Sequence, residues 1–160
     1  MTEETYIKAV HRNHKRLYLL ALSFVGQQQD AEDVLQNVFL KLWRSGVPYQ
    51  DDTHIDKWLT CVTVNESKSF LRRASRKNVP LDEAERPLTD EQTEGAEVVA
   101  AVMRLPPSLR SVIHLYYFEE LSVKDIAGLL RLGQSAVKTR LYRGRCLLRQ
   151  YLKEEMKHDR

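Results

Sequence analysis

Lys138, Arg140, Arg143, Arg145 and Arg149 crowd into the stretch "SAVKTRLYRGRCLLR", and no Asp or Glu occurs from Ile126 through Lys153. Cations gathered this way bind phosphates, and a guanidinium can also grip a guanine edge through two parallel hydrogen bonds. A basic face can simply be solvated. Solvated faces usually mix signs, however, because like charges on adjacent helical turns repel. On a helix, Val137, Leu141, Leu148 and Leu152 form one buried stripe, while Ser135, Thr139, Tyr142 and Arg143 lie roughly opposite. Lys138 and Arg149 lie on one flank and Arg140 on the other. Small polar residues at the helix start let backbone approach a duplex, and the N–H groups there can hold a phosphate. The missing counter-charges are expected to be those of DNA.

Other chemistries find no support in the pattern. His11, His14, His54 and His114 stand near Asp, Glu or Tyr only by chance spacing, and no Ser/His/Asp order, Gly-rich phosphate loop or paired-carboxylate motif stands out. No catalytic residue, cofactor or small-molecule substrate is expected. Cys61 and Cys146 lie far apart, without a CxxC or Cys/His cluster, so neither a metal site nor a disulfide framework is expected. They read as reduced thiols. The most apolar run, Leu17 to Val25, is about half the length needed to cross a bilayer. With no cationic leader and cleavage site before it, a cytoplasmic location is expected.

The elements that must position these residues are helices. Apolar residues recur at three- and four-residue spacing, and strand-like alternation is scarce. A first helix is predicted over Glu3 to Val25, ended by Gly26. Asp30 is expected to cap the second, "DAEDVLQNVFLKLWR", which stops before Gly46 and Pro48. A third begins near His54 and runs through "WLTCVTVNESKSFLRR", with Trp58 read as core. From Asn78 to Gly95 the chain carries six acids, one base and two prolines, the composition of a flexible linker. The expected division is therefore a domain over 1–77, a linker over 78–95 and a second domain over 96–160.

The second domain opens with "AEVVAAVMRL". Pro106 and Pro107 suit the start of the next helix. Ser122 with Asp125 forms a capping-box-like start for "SVKDIAGLLRL". A tight turn at Leu132 and Gly133 then leads into the basic helix, with Gly133 as a weak cap or as the left-handed residue. Two short helices joined this way, the second one basic, make a helix-turn-helix.

Taken together, "LPPSLRSVIHLYYFEELSVKDIAGLLRLGQSAVKTRLYRGRCLLRQYL" resembles region 4 of the extracytoplasmic-function (ECF) sigma factors of bacterial RNA polymerase. "DAEDVLQNVFLKLW" and "WLTCVTVNESKSFLRR" resemble the same family's region 2. The chain departs from the family where Arg131 replaces a common glycine, Gly133 a common serine and Val64 a common basic residue. The resemblance implies an all-α protein of two small helical domains. Region 4 would read the −35 duplex through Ser135, Lys138, Thr139, Tyr142 and Arg143. Region 2 would open and read the −10 element through Tyr49, Asn65, Lys68, Arg72 and Arg73. Core polymerase, at its β′ clamp helices, would meet Asp33, Gln36, Asn37 and Leu40, which a helical wheel turns outward while Ala31, Val34, Leu35, Val38 and Leu42 turn inward. Family members are also commonly held inactive by an anti-sigma factor, often membrane-anchored. The competing reading is a stand-alone helix-turn-helix regulator, which would not need the −10-like half.

Overall fold

The computed structural model describes residues 1–46, 50–77 and 95–158. Among them it forms helices and no strand: α1 (Glu3–Val25), α2 (Gln28–Arg44), α3 (Asp52–Arg76), α4 (Ala96–Met103), α5 (Pro107–Tyr117), α6 (Val123–Leu130) and α7 (Gln134–His158). The all-α expectation holds. The chain divides into two compact units, Met1–Asp82 and Glu83–Arg160.

In the first unit, α1, α2 and α3 each pack against the other two. Thr2 accepts from the N–H of Thr5 to start α1, and Gly26, at φ 82°, ends it by donating to the Leu22 carbonyl. Leu17, Leu20 and Leu22 are fully buried, each contributing about 2 kcal/mol relative to exposure. Ala31, Val34, Leu35, Val38 and Leu42 of α2 face this core as the wheel predicts, and Phe39 joins them. Asp30, however, is not the cap of α2. The helix begins earlier, after Gln27, which makes no side-chain capping bond, so Asp30 falls in the first turn, where its charge favours the positive end of the helix. Helix α3 starts after Asp51, whose carboxylate accepts from the His54 N–H at 2.7 Å.

A partly buried polar lattice locks α1 to α3. The Arg12 guanidinium donates to Asp56 at 2.8 Å, and Asn13 donates to the same carboxylate oxygen at 2.8 Å. Arg16 bridges the Thr60 hydroxyl and the Asn13 side-chain oxygen, both at 2.7 Å. Burial by itself would raise the Asp56 pKa. The Arg12 and Asn13 hydrogen bonds, with the charges of Arg12 and Arg16, outweigh that and hold it below the ordinary carboxylate value.

In the second unit, α5 and α6 pack on α7, and α4 lies against α5 and α7. Pro107 occupies the first turn of α5, where a missing N–H costs nothing. Ser122 caps α6 by accepting from the Asp125 N–H at 3.0 Å, as its spacing predicts. Of the two roles open to Gly133, the left-handed one falls to Arg131, at φ 55° and ψ 46°, while Gly133 stands just before α7 and its carbonyl accepts from the Val137 N–H at 3.2 Å. The Leu132 N–H returns to the Ala127 carbonyl at 2.9 Å, the bond that closes a Schellman ending. That geometry demands positive φ one residue after the helix, and Arg131 occupies that position. Glu120, between α5 and α6, is likewise at positive φ. Val137 and Leu141 are buried under α7, whereas Leu148 and Leu152, expected in the same stripe, are only half-buried.

Candidate nucleic-acid interface

Helix α7 presents Ser135, Lys138, Thr139, Tyr142 and Arg143 to solvent, all five exposed. Spacings of three and four residues keep them on one side of the helix, because each turn consumes 3.6 residues. Burial of Val137 and Leu141 against the unit core fixes the rotation that turns this side outward. Thr139 donates its hydroxyl to the Ser135 carbonyl at 3.0 Å, folding a short side chain back onto the helix. Tyr142 is 68% exposed, a large aromatic ring free to meet a sugar or a thymine methyl.

Two other cations of α7 have intramolecular roles or settings. Arg145 donates to the Tyr117 hydroxyl and lies over the rings of Tyr116 and Tyr117 at 5.5 and 5.6 Å. The hydrogen bond to Tyr117 raises its pKa above the ordinary arginine value. Arg140 is half-buried, whereas Arg149 remains exposed. Behind this face, α5 buries two ionisable groups. Desolvation lowers Arg110 to about 10 and His114 to about 4, and His114 stacks on Phe118 with ring centroids 4.9 Å apart.

In the first unit, Asn65, Lys68 and Arg72 share one face of α3 by spacing, with Arg73 beside it. Asn65, Arg72 and Arg73 are exposed and Lys68 is half-buried. Val64 is fully buried, so the position where the family carries a base serves the core here. Tyr49 lies outside the described residues.

Helix α2 exposes Asp33, Gln36, Asn37 and Leu40, and Asp33 accepts from Gln29 at 3.2 Å. Leu40 is 46% exposed, and a single exposed leucine is ordinary on a protein surface. It lines a shallow groove with Asn37, Lys41, Arg44, Ser45, Trp58 and Glu66. Trp58 is thus half-buried at a groove wall and not part of the core as expected. Lys41 pairs with Glu66 across the groove, joining α2 to α3. Neither residue stood out in the sequence. The available signal was a lone acid, Glu66, just ahead of a basic run.

Among the described residues no helix is long and apolar enough to cross a membrane, and no three His, Cys, Asp or Glu side chains gather where a metal ion would sit.

Residues 9–77 match Sigma-70 region 2, and residues 96–148 match Sigma-70 region 4. A region 2 bundle followed by a region 4 helix-turn-helix defines a sigma-70-type transcription initiation factor. Sequence relatives sharpen this. The chain is 31% identical over 147 residues to RNA polymerase sigma factor SigV of Bacillus subtilis, covering 89% of each chain. It is 30% identical over 145 residues to ECF RNA polymerase sigma factor SigM of Mycobacterium tuberculosis, covering 88% of this chain and 74% of that one. It is 34% identical to ECF sigma factor SigE of Mycolicibacterium smegmatis over 154 residues, and there it spans 60% of the relative's length. The chain belongs to the ECF sigma factors of the sigma-70 family. Its fold is similar to that of the sigma factor RpoE from Bartonella quintana, solved with the anti-sigma factor NepR. That match has a TM-score of 0.69 at 21% identity and covers 94% of this chain and 98% of that one. A second similar fold is CnrH, solved with the cytosolic domain of CnrY, with a TM-score of 0.57 at 23% identity, covering 96% and 90%.

Proposed function

We propose that this sigma factor docks on core RNA polymerase, directs it to particular promoters and helps open them, with the work divided among three helical faces. The −35 duplex is read by α7. Arg143 takes a guanine edge, Tyr142 a thymine methyl or sugar, and Lys138, Thr139 and Ser135 the backbone and neighbouring bases. The −10 strand is read on α3 by Asn65, with Tyr49 as an aromatic wall and Lys68, Arg72 and Arg73 on phosphates. Pulling a base from its stack costs a few kcal/mol, which a pocket for that base offsets. The outward face of α2, Asp33, Gln36, Asn37 and Leu40, meets the β′ clamp helices, where Leu40 becomes buried between proteins. Residues 1–77 and 96–160 act as the two working domains and 78–95 as the tether between them.

One observation carries this reading: both sigma regions match in one chain and in order, and the second ends in an exposed helix face free of acids. A stand-alone regulator would have no use for the first region and is not favoured. The role asks for no catalytic residue, cofactor or metal, since the polymerase performs the chemistry, and it places the protein in the cytoplasm. An anti-sigma partner is part of the proposal, supported by the NepR complex of a protein with similar fold.

The test is transcription in vitro with purified core polymerase on the region upstream of the protein's own gene. Specific transcripts that need both the core and this chain are expected. Tight duplex binding without core, together with no start-site selection on any template, would overturn the proposal.

A further inference from the structure

Arg145 takes no part in the roles given above to α7, yet its guanidinium is held in place. Its Nε–H donates to the hydroxyl of Tyr117, the last residue of α5. Its charge lies 5.5 and 5.6 Å from the ring centroids of Tyr116 and Tyr117, within reach of a cation–π attraction. The two rings brace each other edge to face, 5.0 Å apart. Tyrosines, and no carboxylate, stabilise this cation, so its charge is held without being neutralised. A guanidinium has more N–H groups than two phenols accept, and donors therefore remain for an outside acceptor. Arg145 and Tyr117 are both exposed, which leaves that side open.

On α7 the exposed residues Lys138, Tyr142, Arg145 and Arg149 follow one another at spacings of four, three and four positions, which makes one continuous stripe. The stripe starts beside Ser135 and Thr139 and runs toward the helix C-terminus. A recognition helix puts its first turns in the groove, so later turns pass out over the backbone, where phosphates stand in place of base edges. A planar, forked and permanently charged donor matches a pair of phosphate oxygens. A free arginine loses rotamer entropy when it grips such a group. Here the tyrosines of α5 restrict the side chain beforehand, so part of that loss falls on folding and not on binding. We propose that Arg145 contacts a backbone phosphate flanking the −35 element, and that Tyr117 and Tyr116 are positioning residues that hold it ready. Helix α5 thereby contributes to a grip on DNA that is indifferent to sequence. The inference rests on the placement of α7 against the −35 duplex made above.

The experiment titrates the full chain, assembled with core polymerase, against promoter duplexes with matched or mismatched −35 elements at several salt concentrations. Arg145→Met is expected to weaken both duplexes alike, by roughly fivefold, and to lower the slope of log affinity against log salt by about one. Tyr117→Phe keeps the ring and the charge but removes the acceptor. It is expected to cost about twofold to threefold on both duplexes at an unchanged slope, and nothing further when added to Arg145→Met. Both side chains are exposed, so both variants are expected to melt at the wild-type temperature. Duplexes carrying one neutral methylphosphonate at successive positions then locate the contact: one such linkage should weaken wild type and leave Arg145→Met unaffected. An unchanged salt slope in Arg145→Met overturns the proposal. So does an equal loss from Tyr117→Phe with and without Arg145, which would mark a purely structural role. Weaker binding of Arg145→Met to core polymerase in the absence of DNA also overturns it, by showing that the cluster meets a protein. A wild-type chain that does not distinguish matched from mismatched duplexes defeats the placement of α7 itself, a separate and recognisable failure.

Discussion

Gly144 of α7 lies so close to Ile113 of α5 that a Cβ built on it would come within 2.6 Å of Ile113 Cγ1 and 2.8 Å of its Cδ1. Ile113 is fully buried and cannot swing away, so the absent side chain is what lets α5 seat against α7.

At an ordinary helix position Gly→Ala gains up to about 1 kcal/mol in helix propensity. Gly144→Ala is expected to do the reverse, destabilising the second unit by about 1–3 kcal/mol through overpacking. Ile113→Ala alone also costs stability by leaving a cavity. The double variant should be less destabilised than the sum of the two single changes. A double-mutant cycle followed by hydrogen exchange of α5 and α7 amides measures that coupling, and strict additivity would contradict the contact.

The turn between α6 and α7 supplies a second case. Arg131 sits at φ 55°, a conformation that costs an L-residue with a Cβ roughly 1 kcal/mol. Arg131→Gly is expected to stabilise the unit by about 1 kcal/mol, while Arg131→Ala keeps the strain and gains nothing. Unfolding of the three proteins side by side settles this, and equal stability for the Gly and Ala variants would refute it.

These two positions show what could be read from residues alone. Helix faces were legible, since Val34, Leu35, Val38 and Leu42 repeat at helical spacing and burial follows that repeat. Asn65 drew attention only through the resemblance, for a lone Asn on a helix carries no signature of its own, whereas Arg143 stood out by its place on the outward arc of the acid-free stretch. The lattice of Arg12, Asn13, Arg16 and Asp56 was not legible. Its partners are separated by more than forty positions and meet only once α1 and α3 cross. Gly144 reads in sequence as a weak point of a helix, because its purpose lies in a side chain of another helix. The left-handed Arg131 gave no cue in its own residue type; the cue lay in the resemblance, which has a glycine where this chain has Arg131.

His114 predicts a pH response. Burial lowers its pKa to about 4, while the unfolded chain titrates near 6.5. Between those values the unfolded state binds the extra proton, so stability is full above about 6.5 and falls as pH drops toward 4. The loss should reach about 2 kcal/mol by pH 5. Carboxylates add their own slope at low pH, so the comparison that matters is with His114→Leu, which removes this one proton. Amide exchange of α5 across pH 5 to 7 should show a steeper loss of protection in wild type than in the variant. Parallel profiles would rule the mechanism out.

The basic helix allows specificity and grip to be separated. Arg143 stands among the outward residues of α7, whereas Arg149 is exposed about two turns beyond Tyr142, past the half-buried Leu148. A bidentate guanine contact distinguishes bases by about 1–3 kcal/mol, while a phosphate contact is nearly indifferent to sequence and weakens as salt rises. With polymerase assembled, Arg143→Ala is expected to lose at least fivefold on the preferred −35 sequence and little on a mismatched one, flattening the preference. Arg149→Ala should weaken both templates by a similar, smaller factor and make binding less sensitive to salt, because one fewer counterion is released. Templates differing only in the −35 element, titrated at two salt concentrations, read both effects at once. If the two variants lose equally on matched and mismatched DNA, Arg143 does not read bases and the recognition surface must lie elsewhere on α7.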